Sequence, residues 1–458
     1  MRKKLLSVAL ATTMVAGLLA GCTNNGGTDT SNSNGGTNDT SNAGNGDSEI
    51  TGEITVLTHR TDLLNTDFAD YKAEFEEKYP GTTVNFEAME DYEGDVSTRL
   101  STGDYGDVFM IPNTIPTNEF ADFLEPLGTV EELSETYTEA FLYAKQSGGT
   151  VYGLPSGANV SAGIVYNKKV FEDAGVTEVP ATPEDFLAAL QAVKDKGECE
   201  NPYYTNTHDT WALSQWEGCT HGMDGDADYI NNTMANESDP FAEGKPHYVV
   251  YKLLYDIIDQ DLCEADPFTT EWESSKTALA TGEIGSMVMG SWAVSQMQEA
   301  ATNAGEDPAN IGYMPFPVTS SDGTQYTSAS GDYAYGINVN SENKATARAF
   351  IDYMLLESGY AEKQGEISIV KGSAMPDTLA DFEGIEMVID NPATAENEGK
   401  WDAVHNESEL GLWSGSEYQV EIVEAAFGNV DKDFDTLMDE WNAKWSAALE
   451  AVNETWGE

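Results

Sequence analysis

The stretch MVMGSWAVSQM, residues 287–297, holds an indole in a chemically suggestive place. Two methionines and a valine run into Gly290 and Ser291, and Trp292 follows where the chain turns. A tryptophan at the end of a buried strand either fills a core or stands over a cleft with its face free to stack on a flat guest. A second group is wholly polar. His59, Arg60, Thr61 and Asp62 come directly after the strand-like EITVLT of residues 53–58, and the carboxyl end of a strand is where an open α/β sheet places its ligand loops. Binding contacts are expected from at least two of the four, against the plainer reading of a solvated turn with Asp62 capping a helix. Asp91 in AMEDYEG and Asn113 in MIPN hold the matching positions after the second and third strands. Trp211 and Trp216, with Gln215 between them, stand in THDTWALSQWEG on what reads as a short helix.

No reaction chemistry is singled out. The 80 carboxylates must include pairs at the spacing a glycoside hydrolase uses, and that abundance deprives any one pair of meaning. The sequence carries no nucleophile elbow, phosphate-binding loop or zinc motif. DGDADYINN sets Asp224, Asp226 and Asp228 at calcium-loop spacing, but Tyr229 replaces the glycine at the sixth position and Ala235 the glutamate at the twelfth. Neither a metal nor a cofactor is expected.

These groups need elements to hold them. EITVLT reads as a strand, and Phe68, Tyr71, Phe75 and Tyr79 then recur at helical spacing until Pro80-Gly81 stops them. Val84, Phe86 and Ala88 alternate as a strand does, Val96 and Leu100 mark a short helix, and DVFMI at 107–111 is a buried strand. Strand and helix in alternation predict an α/β sheet in parallel order. Thr182-Pro183-Glu184-Asp185 is a helix start with a hydroxyl cap, a proline at the first position and acids in the first turn. Ala347, Phe350, Ile351 and Met354 make another amphipathic helix, with Ser341 or Asn343 as its cap. Trp441 and Trp445, one turn apart near the end, read as packing residues.

The ends and the composition bound the rest. Arg2, Lys3 and Lys4 precede an apolar run over residues 5–20, too short to span a bilayer and of the size of a secretory signal. It ends in Leu19-Ala20-Gly21-Cys22, which resembles the lipobox of bacterial lipoproteins, in which the cysteine is lipidated and becomes the first residue. Residues 23–48 are almost wholly Asn, Gly, Ser, Thr and Asp, the composition of a flexible tether. The expected product is an extracytoplasmic body, anchored to the membrane through Cys22 without crossing it. The ~410 residues that remain exceed one ordinary core and predict two lobes. Against 80 acidic residues stand 22 basic ones, a net charge of −58, so nucleic acid and anionic lipid are excluded as general partners. Cys199, Cys219 and Cys263 are three in number, which leaves a disulfide open.

The order of several segments carries a family resemblance. After the lipobox and tether come EITVLTHRTDLL, FEEKYPGTTVNFEAMEDYEGDVSTRLSTGDYGDVFMIP and VYGLPSGANVSAGIVYNKKVFEDAGV, then TPEDFLAALQAVKDKG, ALATGEIGSMVMGSWAVSQM, IGYMPFPVT and YAYGINVNSENKATARAFIDYML. Taken together from residue 53 onward, they resemble the extracellular sugar-binding proteins of ABC importers, the maltose-binding-protein-like class. The resemblance implies an α/β, two-lobed periplasmic-binding-protein-like (Venus flytrap) fold, with a hinge and a central cleft that closes on its guest. It implies lobe one at 49–158 plus 318–367 and lobe two at 159–317 plus 368–458, after a signal peptide at 1–21 and a tether at 22–48. A monomer that captures a neutral oligosaccharide and delivers it to ABC permease subunits is the expected function. A related binder for an amine, a peptide or an anion is the alternative.

A neutral oligosaccharide offers C–H faces that stack on aromatic rings and hydroxyls that need paired donors and acceptors. By the resemblance, Trp292 ends a strand of the second lobe and stacks on the sugar from the cleft wall, and Trp211 adds a second ring. Gly290 and Ser291 would let a ring approach the backbone closely. Ser156 and Asn159 fall at the first hinge crossing, Asp332 and Tyr333 on a hinge-side loop, and Trp413 ahead of a helix that borders the cleft in relatives.

Overall fold

A computed structural model describes residues 50–456 apart from Ala162, Asp322, Glu383 and residues 413–416. The signal segment, Cys22, the tether and Trp413 lie outside the described residues. Strand β1 (Gly52–Thr58) buries Ile54, Val56 and Leu57. Helix α1 (Asp67–Lys78) then turns Phe68, Tyr71 and Phe75, spaced for one face, against the apolar core. Strand β2 (Thr82–Ala88), α2 (Tyr92–Leu100) and β3 (Val108–Met110) follow. β1 lies between its neighbours and parallel to both, with Val56 opposite Phe86 on one side and Val108 on the other. The parallel order expected for this part of the chain is present.

Three short strands come next, β4 (Gly153–Pro155), β5 (Ala158–Val160) and β6 (Gly163–Asn167). Helix α3 (Pro183–Lys196) starts as its sequence dictates. The Thr182 hydroxyl accepts from the Asp185 N–H at 3.1 Å, and Gly197 closes the helix at φ +72°. Beyond it lie α4 (Thr210–Leu213), α5 (Gln215–Gly218), α6 (Pro246–Asp259), α7 (Trp272–Thr281), β7 (Ser286–Val288) and α8 (Ala293–Ala304). The chain continues through β8 (Ile311–Pro315), β9 (Tyr326–Gly331), β10 (Ala334–Ile337), α9 (Lys344–Leu356), α10 (Tyr360–Gln364) and β11 (Glu386–Val388). It ends with α11 (Glu417–Ala426) and α12 (Phe434–Thr455). Asn343 heads α9 without a side-chain cap, and its amide donates to the Glu53 carbonyl instead.

One sheet has the order β2-β1-β3-β10-β4, and a second has β7-β6-β8. β10 runs antiparallel to both β3 and β4, and the second sheet is antiparallel throughout. Between these sheets β11-β9-β5 forms a third. Its strands β5 and β9 lie antiparallel, Asn159 opposite Ser330. Each is a crossing, because β4-β5-β6 leaves the first sheet for the second and β8-β9-β10 returns.

Two apolar clusters are built on this frame. One surrounds the first sheet and continues into Leu279, Met287 and Met297 of α7, β7 and α8. The other joins α3, α6, α11 and α12, with Trp441 and Trp445 fully buried in it. Cys199, Cys219 and Cys263 are free thiols. Asp224 and Asp226 accept from the backbone N–H groups two residues on, and Asp228 accepts from the Asn232 and Asn391 amides. Among the described residues no helix is long and apolar enough to cross a membrane.

Candidate functional site

Three indoles meet where α4, α7 and α8 begin. Trp211 lies 5.4 Å from Trp272 and 6.0 Å from Trp292, centroid to centroid, and Trp272 lies 5.5 Å from Trp292. Trp211 is 45% exposed, Trp292 is half-buried, and Trp272 at 7% forms the floor beneath them. The Trp272 N–H donates to Asp209 Oδ2 at 2.6 Å, which ties the head of α7 to that of α4. Local sequence sets the pose of Trp292. A side chain on Gly290 would collide with Nε1 and Cδ1 of that indole, so the missing Cβ lets the ring fold back over its own turn. Ser291 anchors the turn to the crossing strand β5: its Oγ accepts from Val160 N–H at 3.0 Å and donates to Asn159 Oδ1 at 3.3 Å. Asn159 is thereby joined to the tryptophan group.

The first sheet supplies a second group at the ends of its strands. His59 lies against Tyr333 at 4.5 Å and near Tyr92 at 6.0 Å, and Tyr92 meets Tyr333 edge-on at 5.7 Å. The Tyr333 hydroxyl donates to Glu93 Oε1 at 2.7 Å, while Glu93 Oε2 accepts from Asn113 N–H at 3.0 Å. The Lys145 ammonium donates to Asn113 Oδ1 at 3.0 Å. Burial lowers the His59 pKa, so its imidazole is neutral near pH 7, and its buried Nδ1 has no partner. Burial, then the hydrogen bond to Glu93, raises the Tyr333 phenol, which stays an O–H donor. A neutral imidazole and phenols beside the Asn113 amide, with Glu93 as an acceptor and Lys145 as a donor, can pair with hydroxyl groups.

Arg60 and Asp62 form a two-pronged pair at 2.9 and 2.6 Å. Burial opposes both charges, and their pairing overcomes it. Arg60 also donates to Gln364 Oε1 at 2.8 Å and to the Tyr360 hydroxyl at 3.3 Å. Arg60 and Asp62 face α7 and α8 across a 620 Å³ cavity, which Lys276 and Gln296 line from the opposite side. Asp332 donates its N–H to the Gly157 carbonyl at 3.0 Å, so the two crossings are pinned together where Ser156 and Asp332 stand.

Of the residues singled out from sequence, His59, Asn113 and Tyr333 meet in one network, and Asn159, Trp211 and Trp292 in another. Arg60 and Asp62 line the cavity between the sheets, and Ser156 and Asp332 sit at the crossings. Asp91 is exposed at the head of α2, and the contacts are made by its neighbours Tyr92 and Glu93. Trp216 requires a correction. It is 1% exposed and packs edge-on against Tyr203 and Phe316, as a core residue. It stands on α5, the helix after the one that carries Trp211, and faces the apolar core. Tyr92, Glu93, Lys145 and Trp272 escaped the sequence reading as site residues. The first two lie within two positions of Asp91, which was chosen; Lys145 reaches the site from 32 positions beyond Asn113, and no local signal marks it.

Two sheets with their helices, joined by paired crossing strands and separated by a polar cavity, define the two-lobed solute receptors. The chain belongs to the bacterial extracellular solute-binding protein family, whose model matches residues 63–361. It is similar to BlMnBP1, the binding protein of an ABC transporter from Bifidobacterium animalis subsp. lactis solved with mannobiose. The identity is 37% and the TM-score 0.79, over 88% of this chain and 95% of that one. It is also similar to the manno-oligosaccharide specific solute binding protein BlMnBP2 of the same organism, solved with mannotriose, at 35% identity and TM-score 0.79 over the same shares. The diacetylchitobiose binding protein DasA of Streptomyces coelicolor is 26% identical over 69% of this chain and 74% of its own length. Family and neighbours are binding proteins, and this chain is one too, not an enzyme.

Proposed function

We propose that this protein captures a neutral oligosaccharide outside the cytoplasm, closes its two lobes on it and hands it to the permease of an ABC importer. The observation that carries the reading is the open tryptophan group, together with a polar wall at the strand ends of the first sheet that holds a neutral imidazole, phenols and an amide. Rings supply stacking faces and the polar wall supplies partners for hydroxyls. The likeness to mannobiose and mannotriose receptors makes manno-oligosaccharides the first class to test. His59, Arg60, Asp62, Asn113, Ser156, Asn159, Trp211, Trp292, Asp332 and Tyr333 are the proposed contacts, with Tyr92, Glu93, Lys145 and Trp272 added. The lobes divide near residues 158, 317 and 367, and the receptor acts as a monomer held to the membrane by a lipid on Cys22. Cys22→Ser is expected to release the full chain into the medium.

The deciding experiment is calorimetry of the body from residue 49 against neutral di- to pentasaccharides. Binding without product formation is expected, weakened about tenfold or more by Trp292→Ala or Trp211→Ala. Binding of an amine, a peptide or an anion with no saccharide binding would overturn the substrate class.

A further inference from the structure

A second cavity, of 630 Å³, lies between α8 and the stretch from Met354 to Thr378. It begins one helical turn beyond Trp292: Ser295 and Gln298 line it from α8, and the Ser295 hydroxyl donates to the Trp292 carbonyl at 3.3 Å. Two of its lining side chains are buried polar groups that each leave an oxygen unpaired, although the Glu366 carboxyl also meets the Asp332 carboxylate. Ser156 is 3% exposed and Glu366 is 4% exposed, and neither Ser156 Oγ nor Glu366 Oε2 has a hydrogen bond. A buried polar atom is unfavourable while it stays unpaired, so two in one cavity call for an occupant.

The placement of Glu366 is built into the backbone. Ala158 and Ile367 exchange N–H to carbonyl bonds of 2.8 Å in both directions, which runs the glutamate's strand beside the first crossing. Gly157 lacks the side chain that would collide with Glu366 Oε2. Burial, and then the neighbouring Asp332 carboxylate, hold the Glu366 carboxyl well above the usual carboxylate range. A carboxyl that takes up a proton is an O–H donor and an acceptor in one planar group. Met354 and Met375 add apolar surface to the same walls. Hydroxyl, amide and carboxyl groups beside thioether surface match a sugar ring, with its apolar C–H face and its hydroxyl rim.

We propose that this cavity is a second carbohydrate subsite, which takes a further hexose unit of a chain already seated on the tryptophan group and completes the hydrogen bonds of Ser156 and Glu366. The subsite rests on the carbohydrate-receptor reading above, and it makes Glu366 a determinant of the chain length the receptor prefers.

The test is calorimetry of the body from residue 49 with mannobiose, mannotriose and mannotetraose, with other neutral saccharide series of rising length in reserve. Affinity is expected to rise at least fivefold from the disaccharide to the longest sugar. Glu366→Leu removes that gain, and Gln298→Trp, which fills the cavity from α8, does the same. Both leave disaccharide affinity within twofold. Glu366→Gln, which keeps one donor and one acceptor in the same plane, retains the gain. Thermal denaturation checks that each variant folds. A gain that persists in both Glu366→Leu and Gln298→Trp, or is missing from the natural chain, overturns the subsite and leaves the receptor reading standing. If no neutral saccharide binds at all, the receptor reading fails and the subsite with it.

Discussion

Glu264 accepts from the Thr205 N–H at 3.1 Å to each carboxyl oxygen, and from the Thr205 hydroxyl as well. Burial pushes its pKa up to about 7, from 4.5 for a free side chain. Between those values the folded chain holds a proton that the unfolded chain has released. The stabilisation is thus fully present below the unfolded pKa and is lost as pH rises through about 7. At about 1.4 kcal/mol per unit this amounts to roughly 3 kcal/mol. Denaturation curves at pH 5 and pH 8 should show the fall, and Glu264→Gln should flatten it and be the more stable form at pH 8. Gly290 gives a second prediction at this scale. In Gly290→Ala the added methyl displaces the Trp292 ring, so saccharide affinity should drop about tenfold with little change in melting temperature. Trp292 stood out in the sequence through the resemblance of its segment to the family's, with Gly290 and Ser291 beside it. Trp216 was misread, because a count of five between indoles says nothing of direction until a helix fixes it.

Among the elements, Glu217 on α5 is the meeting point of three helices. It accepts from His247 Nε2 at 3.0 Å and from the Tyr251 hydroxyl at 2.7 Å, both on α6, and from the Tyr418 hydroxyl on α11. Burial works against its charge, and His247 with the hydroxyl donors keeps it ionised. Glu217→Ala should cost about 3–5 kcal/mol in chemical denaturation, because the donors stay buried with nothing to receive them. No pattern in the sequence announces this junction, whose other members lie 30 to 201 positions from Glu217. α3 stands at the other extreme: a capping threonine, a proline and a closing glycine, all local, determine where it starts and ends. The same division runs through the candidate site. His59 and Arg60 sit at a strand end that alternation reveals, while Lys145 arrives through a fold-level path.

For the molecule as a whole, a net charge of −58 on 458 residues means that folding gathers like charges together. Melting temperature should therefore rise as NaCl increases from ~20 mM to ~300 mM, where the screening length falls below ~10 Å; a flat profile would show that local pairs such as Arg60–Asp62 already balance the repulsion. The two-lobed plan itself was legible from the order of weak motifs along the chain, because strand-helix alternation and its interruptions extend over many residues. The position of β10 has a consequence of another kind. Residues 334–337 fill the place between β3 and β4, and among the described residues β4 has no other partner in the first sheet. A chain that is threaded through a membrane pore N-terminus first cannot close that sheet until residue 337 has emerged, with roughly three-quarters of the sequence already out. Its early half waits as an open edge, held back from premature folding by the timing of its own delivery.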